Sequence, residues 1–296
     1  MTAFSGVSDL SRDPLRGELT ALAGRLTQRG IVLTIGGGYG LVLKREYITR
    51  NGLRTRFTEP LYTRSTNDVD CFLTADLISS GETTRAIRDA LDDMGYAPVE
   101  GAKYYQFART IDYSGTPIVL KFDFLAPPVT DPDRIASMNT DARRIRPRSY
   151  VYFHAHTTPA ALTVGAMPTT IELGTATAPA TVRLPHPFTY LILKLHAFAD
   201  QVNNPAKDNG RYHAFDIYTT IALATGAEWD EMIDLRTRYA EAEPVSRANE
   251  IRADLFGEVT SLGLVRLREY TQTAGIHLAT NRLEELVIDL RDILDR

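Results

Sequence analysis

The 296-residue chain contains one cysteine and one tryptophan. A lone thiol cannot close an internal disulfide, so a stapled mini-domain is excluded, and a chain of this length buries enough core without one. Cys71 lies in the apolar-flanked run Val69 to Leu73, which predicts a small buried side chain rather than a nucleophile. Also missing is any stretch near the roughly 20 consecutive apolar residues that a membrane helix needs. The opening MTAFSGVSDLSRDPLRGEL has neither the basic start nor the long apolar core of a secretion signal, so the expectation is a cytoplasmic protein with no membrane partner. No repeat or low-complexity tract occurs. No Gly-x-Ser-x-Gly elbow is present, which removes support for Ser-His-Asp catalysis. His154 and His156 alternate, but no third ligand follows at zinc-like spacing, so zinc is not expected.

What is present is ordinary globular composition, 44% hydrophobic and 24% charged. A net charge of -4 with pI near 5.9 argues against nonspecific coating of nucleic acid, while leaving room for a local basic face. The length favours two domains, or one with a large helical extension.

Asp13-Pro14 starts a helix whose leucines 15, 19, 22 and 26 share a face, with a stop at Gly30. Ile31 to Ile35 reads as a short buried strand. Gly36-Gly37-Gly38 ends it, and Tyr39 to Arg45 opens a helix. A polar, Arg-rich insertion over 44 to 67 leads into a second strand at Asp68 to Leu73. A helix over Gly81 to Met94 precedes two strands, Tyr104 to Tyr113 and Pro117 to Leu125, joined at Ser114-Gly115. Ala126 to Arg148 reads as a boundary or covering loop. Short β-like runs follow at 150 to 154, 161 to 164, 169 to 173 and 181 to 184. Beyond Pro187 the spacing turns helical, over about 188 to 202, 211 to 225, 228 to 242, 245 to 256, 258 to 273 and 281 to 295. The division expected is 1 to 149 as an α/β core, 150 to 186 as a β-rich connector, and 187 to 296 as a helical domain completing the active site.

The chemistry rests on carboxylates. Asp68 and Asp70 are two apart on an expected strand, so both project from one face and can share a divalent cation. Asp123 lies on another strand between Phe122 and Phe124 and must point away from them. Left buried and unpaired there, it would be costly. The Gly36-Gly37-Gly38 turn at a helix start offers close backbone approach and a positive dipole end to a phosphate. It is neither a P-loop nor a dinucleotide fingerprint, because no Gly-Lys-Ser/Thr follows and Leu41 stands where a third glycine would be. Lys194, in the apolar helix Leu191 to Phe198, either snorkels to water or holds a triphosphate. Asp216 could orient Lys194 or act as a base on an attacking hydroxyl.

Ile35-Gly36-Gly37-Gly38, Arg64-Ser65-Thr66-Asn67-Asp68-Val69-Asp70, Lys194-Leu195-His196-Ala197 and Asp216-Ile217-Tyr218 together resemble the four motifs of the AbiEii/MenT-type nucleotidyltransferases. These belong to the polymerase-β-like superfamily and are often toxins of toxin-antitoxin systems. The resemblance spans about residues 31 to 220. It implies an α+β fold with a mixed-sheet polymerase-β-like core followed by a C-terminal helical domain. It also implies an enzyme that moves NMP from an NTP with Mg²⁺ or Mn²⁺. By this likeness Asp68, Asp70 and Asp123 would hold metal, and Lys194 and Asp216 would serve catalysis. Gly36, Gly37, Gly38, Arg64, Ser65, Lys194 and Lys207 would bind nucleotide or phosphate. Gly38-Tyr39 departs from the pattern by supplying no small hydroxyl, so phosphate contacts would rest on backbone N–H groups.

Two basic segments bear on the acceptor. Lys44, Arg45, Arg50, Arg54, Arg56 and Arg64 stand in 44 to 64 with only two acidic residues. Arg143, Arg144, Arg146 and Arg148 stand beside Tyr150 and Tyr152. Such segments suit phosphates and stacked bases as well as they suit a solvated loop. The leading expectation is an RNA acceptor, such as a tRNA 3' end, under control of a cognate antitoxin. The alternatives are an aminoglycoside-like small-molecule transferase, which would want an acidic pocket, and a catalytically silent nucleotide-binding or antitoxin-binding module. Trp229 is expected as a core or interface anchor.

Overall fold

The structure is a computed structural model, and it describes residues 13 to 295 apart from 59, 60, 65, 103 and 142. In chain order the elements are α1 (Pro14–Thr27), β1 (Leu33–Ile35), α2 (Gly37–Asn51), β2 (Asp68–Phe72), α3 (Ala75–Ser79), α4 (Gly81–Asp93), β3 (Ala97–Pro98), β4 (Gln106–Tyr113) and β5 (Thr116–Ala126). Then come α5 (Pro132–Ser137), β6 (Met138–Thr140), β7 (Arg144–Pro147), β8 (Ala155–Thr157), β9 (Thr169–Glu172) and β10 (Thr181–Leu184). The chain finishes with α6 (Pro187–Gln201), α7 (Arg211–Ala222), α8 (Gly226–Arg238), α9 (Glu243–Phe256), α10 (Leu262–Thr273) and α11 (Thr280–Leu294). A mixed sheet followed by helices is the α+β class that the resemblance implied. Among the described residues no helix is long and apolar enough to cross a membrane.

Among the described residues the chain clusters into two units, one of 13 to 40 with 66 to 185 and one of 41 to 64 with 186 to 295. The first unit is built on a ten-stranded sheet in the order β6-β7-β8-β5-β2-β1-β10-β9, with β4 on β5 and β3 on β4. β2 runs parallel to β5, whereas β1 is antiparallel to β2 and parallel to β10. Period-two alternation sets the faces of β5: Leu120, Phe122 and Phe124 are buried, and Lys121 and Asp123 between them are partly open. The buried side continues through Phe107 and Phe153, whose rings stack at 5.9 Å, with Phe124 edge-on to Phe153 at 4.8 Å. Helix α1 begins where expected, with the Asp13 side chain accepting the Leu15 N–H and Pro14 in the first turn. The same carboxylate accepts the Tyr39 hydroxyl at 2.8 Å.

Several local readings change. Residues 126 to 148 are not a plain covering loop, because they form α5, β6 and β7. The runs at 150 to 154 and 161 to 164 are not strands; β8 starts at Ala155, and Pro159–Ala161 is a 3₁₀ turn. Proline at 159 removes a ladder donor and favours the turn. The segment 150 to 186 supplies β8, β9 and β10 to the same sheet as β2 and β5.

In the second unit α7 is the central helix, buried from Ala214 through Ala222. An all-round buried helix must pack on every side, and Phe215 stacks on Tyr270 of α10 at 4.6 Å. Phe198 of α6 meets Phe256 of α9 edge-on at 4.9 Å. The segment after α2 is tied down by Arg56 N–H to Ala224 C=O at 2.8 Å. The basic run 44 to 64 is consequently not a free insertion. Lys44 pairs with Glu228, Arg50 with Glu46, Arg56 with Asp289 and Arg64 with Asp216. Arg56 also lies over Trp229, 4.7 Å from the ring centroid, and Trp229 is half-buried rather than part of the core.

The Lys44–Glu228 pair is buried at both ends, with side-chain exposures of 7% and 10%. Removing one partner of such a pair strands the other charge. Lys44→Met should therefore cost about 3–5 kcal/mol in urea unfolding. Adding Glu228→Gln, which keeps the cap on Thr225, should recover at least half of that loss. A single-variant cost below about 1 kcal/mol would show that the pair behaves like a surface ion pair.

Candidate active site

Asp68 and Asp70 occupy β2 with Val69 and Cys71 buried between and after them, so the two carboxylates share the open face, as their spacing predicts. The register of β2 on β5 places Asp68 opposite Lys121 and Asp70 opposite Asp123. Directly opposed residues point to the same side of a sheet, and three carboxylates thus meet on one face. Asp68 and Lys121 come within 3.6 Å. Cys71 is fully buried, and its thiol is pushed up by that burial and by the neighbouring Asp70 and Asp123 carboxylates.

Asp123 carries the clearest signal. Its Oδ1 is buried with no hydrogen-bond partner. Burial first, then the charges of Asp70 and Asp68, push its carboxyl up to about 7, against the opposing pull of Lys121 and a hydrogen bond from Gln106. Gln106 stands opposite Asp123 on the other flank of β5. It was not singled out from the sequence; the strand register alone reveals it.

The glycine turn lies against this cluster. Gly36 donates its N–H to the Asp70 carbonyl at 2.8 Å. Gly37 has φ +62°, and a Cβ there would collide with the Asp70 carboxylate. Both facts require glycine. A Cβ on Gly36 would strike the Phe72 ring. Gly38 is buried in the first turn of α2, where N–H groups lack intrahelical acceptors. Tyr39 is no substitute for a small hydroxyl, since its own hydroxyl donates to Asp13.

Among the described residues no three His, Cys, Asp or Glu side chains are arranged to hold a metal ion as they stand. The donor chemistry does suit a hard divalent cation, which favours carboxylate oxygens. A cation would also supply the partner that Asp123 Oδ1 lacks.

The remaining candidates fall in the helical unit. Lys194 does not snorkel. Its Nζ lies 2.7 Å from Asp216 Oδ2, and the exposures are 7% and 1%. Arg64 donates its Nε to the same carboxylate at 3.0 Å. Although burial opposes it, this double pairing lowers Asp216 to about 2. Of the two roles open to Asp216, its burial and its engagement by both cations favour orienting them over acting as a base. Lys207 is exposed on the 3₁₀ turn Pro205–Gly210, and Asp208 beside it pairs with Arg211. Ser65 lies outside the described residues. His213 was overlooked in the sequence. It sits one turn before Asp216 on α7, is held down to about 3 by burial and by Lys194, and leaves Nδ1 buried without a partner. An i, i+3 relation to Asp216 was the available signal.

No known family profile matches the chain, and no curated protein does either. Solved structures similar to it include the following three. One is an antigenic nucleotidyltransferase-like protein from Paracoccidioides brasiliensis, at 14% identity and TM-score 0.43, covering 94% of this chain and 93% of that one. The second is the antibiotic-resistance factor ANT(2'')-Ia, at 17% identity and TM-score 0.31, covering 80% of this chain and 97% of that one. The third is the Megavirus polyadenylate synthase, at 12% identity and TM-score 0.30, covering 97% of this chain but 51% of that one.

The raised Asp123 carboxyl has a stability signature. An unfolded Asp titrates near 3.9, so the folded protein binds this proton more tightly than the unfolded chain. Stability is then intact below about pH 4 and falls as pH rises towards 7, where the folded group finally ionises. In EDTA, Asp123→Asn should remove that decline and unfold later than wild type at pH 8, by about 2 kcal/mol after allowing for partial water access. Chemical denaturation at pH 4, 6 and 8 checks it, and a flat wild-type profile would contradict the assignment.

Proposed function

We propose that this chain is a divalent-metal-dependent nucleotidyltransferase, moving NMP from an NTP to an acceptor hydroxyl with release of pyrophosphate. The observation that carries the reading is the convergence of Asp68, Asp70 and Asp123 on one sheet face, with a buried and unpartnered oxygen on Asp123, against a positive-φ glycine at a helix start. Charge repulsion and burial make that arrangement costly unless a ligand relieves it. Asp68, Asp70 and Asp123 would hold Mg²⁺ or Mn²⁺, which when bound offsets negative charge on the attacking and leaving oxygens.

The chain's own groups account for the rest. First-turn N–H groups at Gly37 and Gly38 can receive phosphate oxygens, as helix N-termini do. Gln106 orients Asp123. By the resemblance to AbiEii/MenT-type proteins, Arg64 and Lys194 of the helical unit would be the cations for a triphosphate. Asp216 fixes their positions. His213, neutral beside them, adds no positive charge of its own.

The resemblance to AbiEii/MenT-type proteins supports the finer reading of an RNA acceptor, a tRNA 3' end among them, and a toxin restrained by an antitoxin. One observation keeps a small-molecule acceptor in view. The basic run 44 to 64 spends Lys44, Arg50, Arg56 and Arg64 on internal ion pairs, so it repels a polycationic acceptor less than its sequence implies.

Incubation with α-labelled NTPs and Mg²⁺ tests this, with separate arms for total tRNA, total protein and an aminoglycoside. Wild type should transfer label to one arm. Asp70→Ala should lower the rate at least 100-fold, whereas Lys194→Met should mainly raise the KM for NTP. Label transfer that survives Asp70→Ala unchanged, or that never occurs in any arm, sinks the proposal.

A further inference from the structure

Away from the carboxylate face, the sheet unit carries an aromatic surface that the transfer chemistry does not use. Tyr104, Tyr150 and Tyr152 line a cavity of about 520 Å³ together with Arg88 and Asp92. Tyr152 is 56% exposed, and its ring meets Tyr104 at 6.1 Å and Tyr150 at 5.8 Å, both edge-on. Each edge-on contact covers one ring face and leaves the opposite one available for stacking. Tyr104 adopts φ +76°, a conformation uncommon for a bulky residue.

The next residue along, Tyr105, lines a second cavity of about 480 Å³ with His156, Arg143, Arg144 and Asp141. Tyr105 and His156 meet at 5.7 Å, and Tyr104 and His154 at 5.3 Å. One short segment thus contributes to both cavities, and His154 and His156 flank the buried Ala155 on one side of the chain.

The charges select the partner. Asp92 is taken by Arg88, and Asp141 by Arg144, so neither carboxylate in these cavities is free to receive a cation. Arg143 is exposed and has no ion-pair partner among the described residues. Arg85 already lies over the Tyr150 ring, 5.1 Å from its centroid. Exposed rings in the first cavity, and an unspent guanidinium beside Tyr105 and His156 in the second, are the elements of a single-strand binding surface: bases stack on the rings, phosphates meet the arginine, and the fit tolerates sequence. A duplex hides its base faces and would gain only the charge contribution.

We infer that the surface formed by Tyr104, Tyr105, Tyr150, Tyr152, His156 and Arg143 binds single-stranded polynucleotide, with bases on the tyrosines and backbone phosphate on Arg143. The inference rests on the transfer reading for its meaning, since it would make such a strand the acceptor, but the binding itself needs no chemistry.

The test uses the full chain carrying Asp70→Ala, titrated onto fluorescein-labelled 12-nucleotide oligoadenylate, oligouridylate and a matched duplex, read by anisotropy at several salt concentrations. Single strands should bind more tightly than duplex. Tyr152→Ala should weaken single-strand binding about tenfold without altering the salt slope. Arg143→Ala should weaken it and reduce the slope by about 0.7. Arg247→Ala, which removes an exposed arginine of the helical unit paired with Glu250, should leave binding within about twofold. Equal affinity for duplex, unchanged binding in Tyr152→Ala, or no binding of any strand overturns the inference. Binding that persists while wild type transfers no label overturns the transfer reading alone. Transfer that persists while Tyr152→Ala binds normally overturns this one alone.

Discussion

The parallel pairing of β2 with β5 is the constraint from which the candidate site follows. Its register sets Asp70 beside Asp123 and Asp68 beside Lys121. A one-residue slip would turn Asp123 into the aromatic core and bring Phe122 or Phe124 out in its place. The core itself therefore guards the register, because Phe107, Phe124 and Phe153 pack only when their side of β5 faces inward. Apolar packing thus holds like charges together against their repulsion. A sheet that tolerates this cost at one spot has a use for it.

The helical unit solves the opposite problem, an anion that must live in a core. Asp216 falls in the middle of the most buried helix of that unit, where an unpaired carboxylate would be prohibitive. Arg64 and Lys194 bring it two cations, one from the chain after α2 and one from α6. His213 stays neutral beside them. The buried anion and its two cations thus brace a point where three separate parts of the chain meet.

Legibility in the sequence followed the range of the interactions. The α1 start at Asp13-Pro14, the shared face of Asp68 and Asp70, and the six C-terminal helices are local or period-based facts, and they emerged within a few residues of their observed bounds. Asp123's outward direction followed from its phenylalanine neighbours. Its pairing with Asp70 depends on a register across more than 50 residues of chain, which no local pattern encodes, whereas Gln106 on the other flank is set by the shorter-range β4–β5 hairpin. Residues 126 to 148 misled because Pro, Asp and Arg look like loop formers, although Pro132 opens α5 and Arg144 to Pro147 pair with β6 and β8. Lys194 misled in a different way. A lone lysine on an apolar helix usually reaches for water, and only the distant Asp216 made burial the better solution.

The two basic segments show why charge runs read from sequence alone carry little functional weight. Over 44 to 64 the arginines and Lys44 look like a nucleic-acid arm, yet Glu46, Asp216, Glu228 and Asp289 claim four of those side chains. Three of those four acids lie more than 150 residues downstream in sequence, so composition within the segment could not reveal them. The run over 143 to 148 looks similar but folds differently, because it forms an edge hairpin whose side chains alternate. Ile145 and Pro147 go inward. Arg144 finds Asp141, and Arg143 is left at the surface beside Tyr105 and His156. Free positive charge next to open aromatic faces, rather than the number of arginines, is the property that distinguishes a binding surface from a braced one.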